Sequence, residues 1–133
     1  ADAVVFGVFG GLTPEKRIPQ ILDALAAILP YAPAARLLLC GAAAQHFDAA
    51  EEVRARGLGP HVTMTGYLPD DRELIDHMAA CDVSINLRWP TAREMSGPWL
   101  RALAAGLPTI TTDLVHLADV PSLDPRTWAP RSG

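Results

Sequence analysis

The sequence predicts an α/β domain with a parallel sheet, in the form of a three-layer, Rossmann-like α/β/α sandwich. Short apolar runs without polar alternation recur along the chain, as expected for strands covered on both faces. Segments with helical periodicity separate these runs, and such alternation gives parallel strands joined by right-handed crossovers. With 133 residues, 50% of them hydrophobic, the chain is long enough for one domain with a substantial core.

The first part of the chain predicts two strands and two helices. The apolar run 4–9 is the first strand. Thr13 is placed to cap the following helix, and Pro14 fits its first turn. The apolar positions of this helix recur at helical spacing, at Ile18, Ile21, Leu22, Leu25 and Ile28. A second buried strand over 36–40 and a polar helix over 47–58 follow.

The middle of the chain predicts a third strand over 61–65 and a third helix. Either Asp70 or Asp71 caps this helix, because a short carboxylate accepts a hydrogen bond from the first helical N–H groups. Its inward face is predicted to consist of Leu74, Ile75 and Met78.

The last part predicts two more buried strands, over 82–86 and 107–111, with a short amphipathic helix between them that ends at Gly106. After residue 113 the pattern weakens. It predicts a helical turn over 115–120 and a short sixth strand over 127–129.

Composition excludes several classes of function. The net charge is −4 without a basic patch, so nucleic acid is not an expected partner. No apolar run approaches the ~20 residues of a membrane span, and none is typical of a signal peptide. The two cysteines, Cys40 and Cys81, predict buried free thiols of a reducing compartment. No metal site is expected, because the four histidines lack metal-ligand spacing: His46, His61, His77 and His116.

The segment after the fourth predicted strand carries ligand-binding chemistry. Glu94, Ser96 and Gly97 come just before the short helix, at the edge of the sheet where open α/β sheets bind ligands. Free N–H groups at the start of that helix suit a phosphate. Because Glu94 would repel a phosphate, its carboxylate is better explained by the hydroxyls of a sugar.

Lys16 is the only lysine among 11 basic residues, and it follows Gly10 and Gly11 in the loop after the first strand. An ammonium in this loop could contact a diphosphate as a compact point charge. The alternative is a solvated lysine in the first turn of a helix.

Four common α/β functions lack their motifs. The loop after the first strand has no G-x-G-x-x-G pattern with a distant acid, and no G-x-x-x-x-G-K-[ST] phosphate loop occurs. The early strands do not end in the acidic residues of a phospho-acceptor domain. A G-x-S-x-G hydrolase elbow is also absent.

Five segments of the sequence follow one another in a characteristic order and spacing. They are residues 9–17, 38–41, 62–69, 80–87 and 93–110. Together they resemble the C-terminal, nucleotide-sugar-binding half of GT-B glycosyltransferases, in particular glycosyltransferase family 4. The resemblance covers nearly all of 4–128.

The resemblance implies how the loop after the first strand binds a donor. Lys16 matches a lysine that grips the donor diphosphate. Gly11 stands where the family has an arginine, and Arg17 is a candidate to replace it. Gly10 belongs to the same donor-binding loop.

The resemblance also implies roles at the later strands. The backbone around Tyr67 and Leu68 lies near the nucleotide base. Glu94 matches the first of two signature glutamates, which approaches the sugar hydroxyls. The second glutamate, which holds the ribose, is replaced by Arg101 at a spacing one residue short, so that Arg101 is expected to face a phosphate or solvent.

As a whole, the resemblance implies that the chain is the donor-binding domain of a retaining glycosyltransferase. The full enzyme would be a bacterial hexosyltransferase located in the cytoplasm. Residues 1–133 would form this domain, without the N-terminal acceptor domain and the closing C-terminal helices. The donor would be a nucleotide diphosphate sugar, with Lys16 and Glu94 as catalytic residues and no metal or other cofactor. The fragment alone would be inactive. Peripheral membrane association would come through the acceptor domain.

Two alternatives stay open. A degenerate GT-B domain could serve as a binding or scaffold module, or the chain could be part of a GT-B sugar-nucleotide epimerase. Among the remaining residues, Asp82 is expected in a strand-entry turn and Trp99 in the core, whereas Arg88 and Trp89 are candidates to line the donor pocket.

Overall fold

The structure is a computed structural model that describes residues 3–87, 97–112 and 122–131. Its centre is a five-stranded sheet made of β1 (Val5–Phe9), β2 (Arg36–Cys40), β3 (Val62–Met64), β4 (Val83–Asn86) and β5 (Thr109–Thr111). All neighbours are parallel, in the order β3, β2, β1, β4, β5. The first strand is therefore central in the sheet.

Helices cover both faces of the sheet. The α-helices are α1 (Ile18–Ile28), α2 (Ala49–Ala55), α3 (Asp71–Ala79) and α4 (Gly97–Ala104), and two 3-10 turns span Pro14–Lys16 and Gly59–His61. Alternate side chains of β2 face opposite layers, since Leu37 and Leu39 pack with α1 and α2 whereas Leu38 and Cys40 pack with α3 and α4. The predicted three-layer sandwich is confirmed.

The start of α3 and its buried face refine the sequence predictions. Asp70 is the cap, because its carboxylate accepts from the backbone N–H of Arg72 at 2.8 Å. Met78 is buried and Leu74 packs against the same core, but Ile75 is 55% exposed. The prediction that Ile75 faces inward is wrong, because Leu74 and Met78 share one stripe of the helix and Ile75 lies beside it.

The polar helix predicted over 47–58 is shorter in the structure. Asp48 caps α2 by accepting from the backbone N–H of Glu51 at 3.0 Å. Gly57, with a φ of 66°, closes its C-terminal turn.

The sixth strand predicted over 127–129 is wrong. Those residues lie in the turn of a small antiparallel hairpin made of β6 (Ser122–Leu123) and β7 (Pro130–Arg131). Asp124 organises this turn, because its carbonyl accepts from the N–H of Trp128 at 2.7 Å and its carboxylate from the N–H of Arg126 at 2.8 Å. The turn predicted over 115–120 lies outside the described residues.

Both cysteines are free and buried, as expected. The thiol of Cys81 packs over the centre of β1, where a Cβ on Gly7 would lie 2.6 Å from its Sγ. Burial raises the pKa of both thiols, and that of Cys81 reaches about 11. Gly7 is therefore required by close packing with a buried thiol.

Candidate functional site

The strand order makes two connections diverge at the C-terminal edge of the sheet. From β1 the chain turns towards β2 through α1, whereas from β4 it turns towards β5 through α4, on the opposite face. Between β1 and β4 the connections therefore diverge, and open α/β sheets bind ligands at such a point. The loop 10–17 flanks this point, and α4 begins at the same edge of the sheet.

The loop after β1 lies against the segment after β2. The N–H of Gly10 donates to the carbonyl of Cys40 at 2.9 Å, and that of Leu12 to Ala42 at 3.0 Å. Gly10 itself has a φ of 100°. A Cβ on Gly41 would collide with the carbonyl oxygen of Gly10. Sequence reasoning missed Gly41, although a glycine directly after a buried strand signals such a close approach.

Lys16 ends the 3-10 turn in this loop, and only 8% of the residue is exposed. Its ammonium donates to the carbonyl oxygen of Phe9, the last residue of β1, at 3.0 Å. The interpretation of Lys16 as a solvated lysine is therefore wrong. Arg17 follows with a φ of 61° and is half-buried at the start of α1. The loop thus holds a buried positive charge at the end of the central strand.

The loop after β3 presents an aromatic ring at the same edge. Gly66 turns the chain with a φ of 74°. Tyr67 is 72% exposed, whereas Leu68 is partly buried and packs against the core beneath α3 and α4. Leu68 therefore anchors the loop and leaves the ring of Tyr67 accessible to a ligand.

The structure describes α4 from its first residue, Gly97, and does not describe residues 88–96. Glu94 and Ser96, with Arg88 and Trp89, lie outside the described residues, as does His116.

Arg101 lies in the second turn of α4. Its guanidinium pairs with the carboxylate of Asp71 at 2.8 Å, and the two side chains are 48% and 76% exposed. Asp71 is the first residue of α3, so the pair joins the start of α3 to the second turn of α4. No sequence pattern indicated this partner, because 30 residues separate the two positions.

Asp82 has the structural role that its sequence position suggests. Its carboxylate accepts from the backbone N–H of Val5 at 2.8 Å, and its own N–H donates to the carbonyl of Val5 at 2.8 Å. These bonds join the starts of β1 and β4, at the edge opposite the loops described above.

Two negative findings apply to the described ranges. Within 3–87, 97–112 and 122–131, no three His, Cys, Asp or Glu side chains are grouped so that they could hold a metal ion. In the same ranges, no helix has both the length and the apolar character needed to cross a membrane.

The sequence profile described as Glycosyl transferases group 1 matches residues 3–125. The chain belongs to this family. The match confirms the resemblance seen in the sequence. No curated protein matches the chain.

Several solved structures have the same fold as this chain. The C-terminal domain of a glycosyl transferase group 1 family protein (LpcC) from Francisella tularensis superposes with a TM-score of 0.66 at 21% identity, over 81% of this chain and 57% of that one. Alr3699/HepE of Anabaena, in complex with UDP and glucose, superposes with a TM-score of 0.66 at 25% identity. The match covers 84% of this chain and 30% of the HepE chain. WaaG, a glycosyltransferase involved in lipopolysaccharide biosynthesis, superposes with a TM-score of 0.64 at 23% identity. The match covers 81% of this chain and 28% of the WaaG chain. This glycosyl transferase group 1 chain thus spans little more than half of the Francisella domain and under a third of HepE.

Proposed function

We propose that this chain is the donor-binding domain of a retaining glycosyltransferase that transfers a hexosyl group from a nucleotide diphosphate sugar. The observation that carries the proposal is the buried ammonium of Lys16 in the loop after β1, beside the point where the strand connections diverge. Membership of the glycosyl transferase group 1 family supports it. So does the UDP and glucose complex of HepE, which is 25% identical to this chain.

In this proposal the diphosphate lies between the loop 10–17 and the start of α4. Gly10 and Gly11 allow close approach of the backbone, and Lys16 and Arg17 supply positive charge. Ser96 and Gly97 supply N–H groups at the helix start, where anions are favoured. Catalysis is chiefly stabilisation of the charge that develops on the leaving diphosphate.

The sugar and the base occupy the two sides of the diphosphate. Glu94 would accept hydrogen bonds from the sugar hydroxyls, and the loop of Tyr67 and Leu68 would contact the base. The contact of this loop with the base is supported by the exposed ring of Tyr67, which stands next to Leu68, a residue packed against the core. The proposal includes no metal or other cofactor.

The acceptor site belongs, in this proposal, to an N-terminal domain outside these 133 residues. The chain alone would therefore bind donor without transferring sugar. The cytoplasm is the proposed location, and contact with a membrane would be made by the other domain.

A titration tests donor binding directly. The chain is titrated in a calorimeter with UDP, GDP and ADP and with the matching nucleosides. At least one diphosphate should bind saturably, and more tightly than its nucleoside, because the nucleoside lacks the group that Lys16 and α4 are proposed to hold. Absence of saturable binding to every diphosphate would refute the proposal. For the full-length enzyme, retention is tested by NMR of the anomeric configuration of the first product formed.

A scaffold role is the second candidate. Two observations favour it, since the ammonium of Lys16 is engaged by Phe9 and the guanidinium of Arg101 by Asp71. A scaffold domain would bind none of the diphosphates in the same titration.

A further inference from the structure

A shallow depression lies on the segment that follows β2, and the donor site proposed above does not use it. It measures about 600 Å³ and is lined by Ala43, Ala44, Gln45, His46, Phe47 and Asp48. This volume lies in the usual range of small-molecule sites, about 300–1,000 Å³. The depression is therefore large enough for part of a nucleotide.

A tight turn builds the depression. Ala44 and Phe47 form an antiparallel bridge, which leaves Gln45 and His46 at the tip of the turn. Gln45 and His46 are both exposed, whereas Phe47 is partly buried and packs against the core beneath α1 and α2. The backbone is thus anchored on the core, and an amide and an imidazole are presented to solvent.

Hydrogen bonds tie this segment to the donor-binding loop. Leu12 and Ala43 form a parallel bridge, and the N–H of Leu12 donates to the carbonyl of Ala42 at 3.0 Å. On the other side, the N–H of Thr65 donates to the carbonyl of Leu39 at 3.1 Å. Because β2 lies between β1 and β3, the segment after β2 lies between the loop of Lys16 and the loop of Tyr67.

The charges around the turn select the part of a nucleotide that fits. Asp48 lines the depression and caps α2, and Glu51 and Glu52 follow in the first turn of that helix. These carboxylates repel phosphate. The amide of Gln45 can donate and accept, and the ring of His46 can stack, which are the interactions that a heterocyclic base offers.

We propose that Gln45 and His46 contact the base of the nucleotide and set the preference among bases. This inference deepens the proposed donor site and rests on it. The base would lie between the turn of Gln45 and His46 and the exposed ring of Tyr67, with the diphosphate directed towards Lys16.

Titrations of variants test the assignment. The variants are Gln45→Ala, His46→Ala and their combination, and the ligands are UDP, GDP, ADP and CDP, with inorganic pyrophosphate as the probe without a base. For the preferred diphosphate, the Kd of the double variant should rise by about 5- to 100-fold, as expected for lost stacking and hydrogen bonding to one base. Differences among the four diphosphates should shrink, and the affinity for pyrophosphate should change less than about twofold.

Two further variants separate base contact from effects on folding. Gln45→Glu keeps the size of the side chain but removes its donor N–H groups, so the preference among bases should change without loss of the fold. His61→Ala is the matched control, because His61 precedes β3 at the opposite edge of the sheet. It should leave all affinities unchanged.

The outcomes distinguish this inference from the proposed function. If the unmodified chain binds no diphosphate, the donor-site proposal fails and this inference fails with it. If it binds diphosphates but the double variant keeps their affinities and order, only the inference about Gln45 and His46 is overturned. Equal losses for pyrophosphate and for the diphosphates would also overturn it.

Discussion

The ammonium of Lys16 donates a hydrogen bond of 3.0 Å to the carbonyl oxygen of Phe9, where β1 ends. This bond closes the loop that leaves the central strand, and Lys16 is buried there. The only lysine of the chain is therefore part of the structure of the loop, besides its proposed role with the diphosphate.

Replacing Lys16 by Met should lower the free energy of unfolding by about 1.5–3 kcal/mol, the usual contribution of a hydrogen bond from a charged group. Met keeps most of the packing volume, so the change reports the lost ammonium. Urea unfolding without ligand measures it. The matched control is Arg54→Met, because Arg54 pairs with Glu51 on the exposed surface. There the free energy of unfolding should fall much less than in Lys16→Met, because water screens an exposed ion pair.

Lys16→Met should also weaken binding of a nucleoside diphosphate more than binding of the nucleoside. The added loss should shrink at high salt, because salt screens the attraction between ammonium and phosphate. Titration of both ligands at low and high ionic strength measures this difference. Equal losses for the two ligands would mean that Lys16 supports only the loop, and its proposed contact with the diphosphate would be withdrawn.

Gly41→Ala should destabilise the chain by about 3 kcal/mol or more, because the new Cβ meets the rigid backbone of Gly10 rather than a side chain that can move. Thermal or urea unfolding measures the change. Gly59→Ala is the control, since a Cβ at that position would have no neighbouring atom within 4 Å beyond the adjoining residues. Its effect should stay within about 1 kcal/mol. Similar effects of the two substitutions would show that Gly10 and Gly41 are not in close contact.

Gly7→Ala should cost about 1–3 kcal/mol, as overpacking usually does, because the methyl group would lie 2.6 Å from Sγ of Cys81. Adding Cys81→Ala removes that sulfur, so the double variant should lose less stability than the sum of the single variants. The relief should be partial, since the ring of Phe9 would still lie 2.7 Å away. Strict additivity would contradict the contact.

Alkaline pH should destabilise the fold through Cys81. Its pKa is raised from 9.0 to about 11, chiefly by burial and further by the negative charges of Cys40 and Asp82. Between these values the native chain keeps a proton that the unfolded chain has lost, so stability falls as pH rises from about 9 to about 11 and is unaffected by this group below that window. Urea unfolding at pH values of about 7.5 and about 10.5 measures the fall. Cys81→Ala should reduce it, and an unchanged pH dependence would refute this origin.

Arg101→Ala should change the free energy of unfolding little, because the pair that Arg101 forms with Asp71 is exposed to solvent. A double-mutant cycle with Asp71→Asn should give a coupling of about 0.2–1 kcal/mol that falls with added salt. Affinity for nucleoside diphosphates should change less than about twofold. A large loss of affinity would instead support the other expectation, that Arg101 faces a phosphate.

Local pattern predicted most of the fold. The bounds of β2 agree residue for residue, and β1 differs by one residue, because continuous apolar runs identify strands that are covered on both faces. The alternation of strands with helices determined the parallel three-layer architecture through the handedness of the crossovers. The order and spacing of the loop motifs indicated the family that the profile match then showed.

Only the tertiary structure decided the surroundings of individual side chains. A lysine after two glycines looks the same in sequence whether it is solvated or buried, and only the approach of the loop to the end of β1 buries Lys16. Arg101 meets Asp71 because two helices of the same layer begin at one edge of the sheet. The polypeptide chain separates these partners by 30 positions, so no local pattern encodes their contact. Periodicity is set by the geometry of each element alone, whereas burial and pairing depend on how the elements pack.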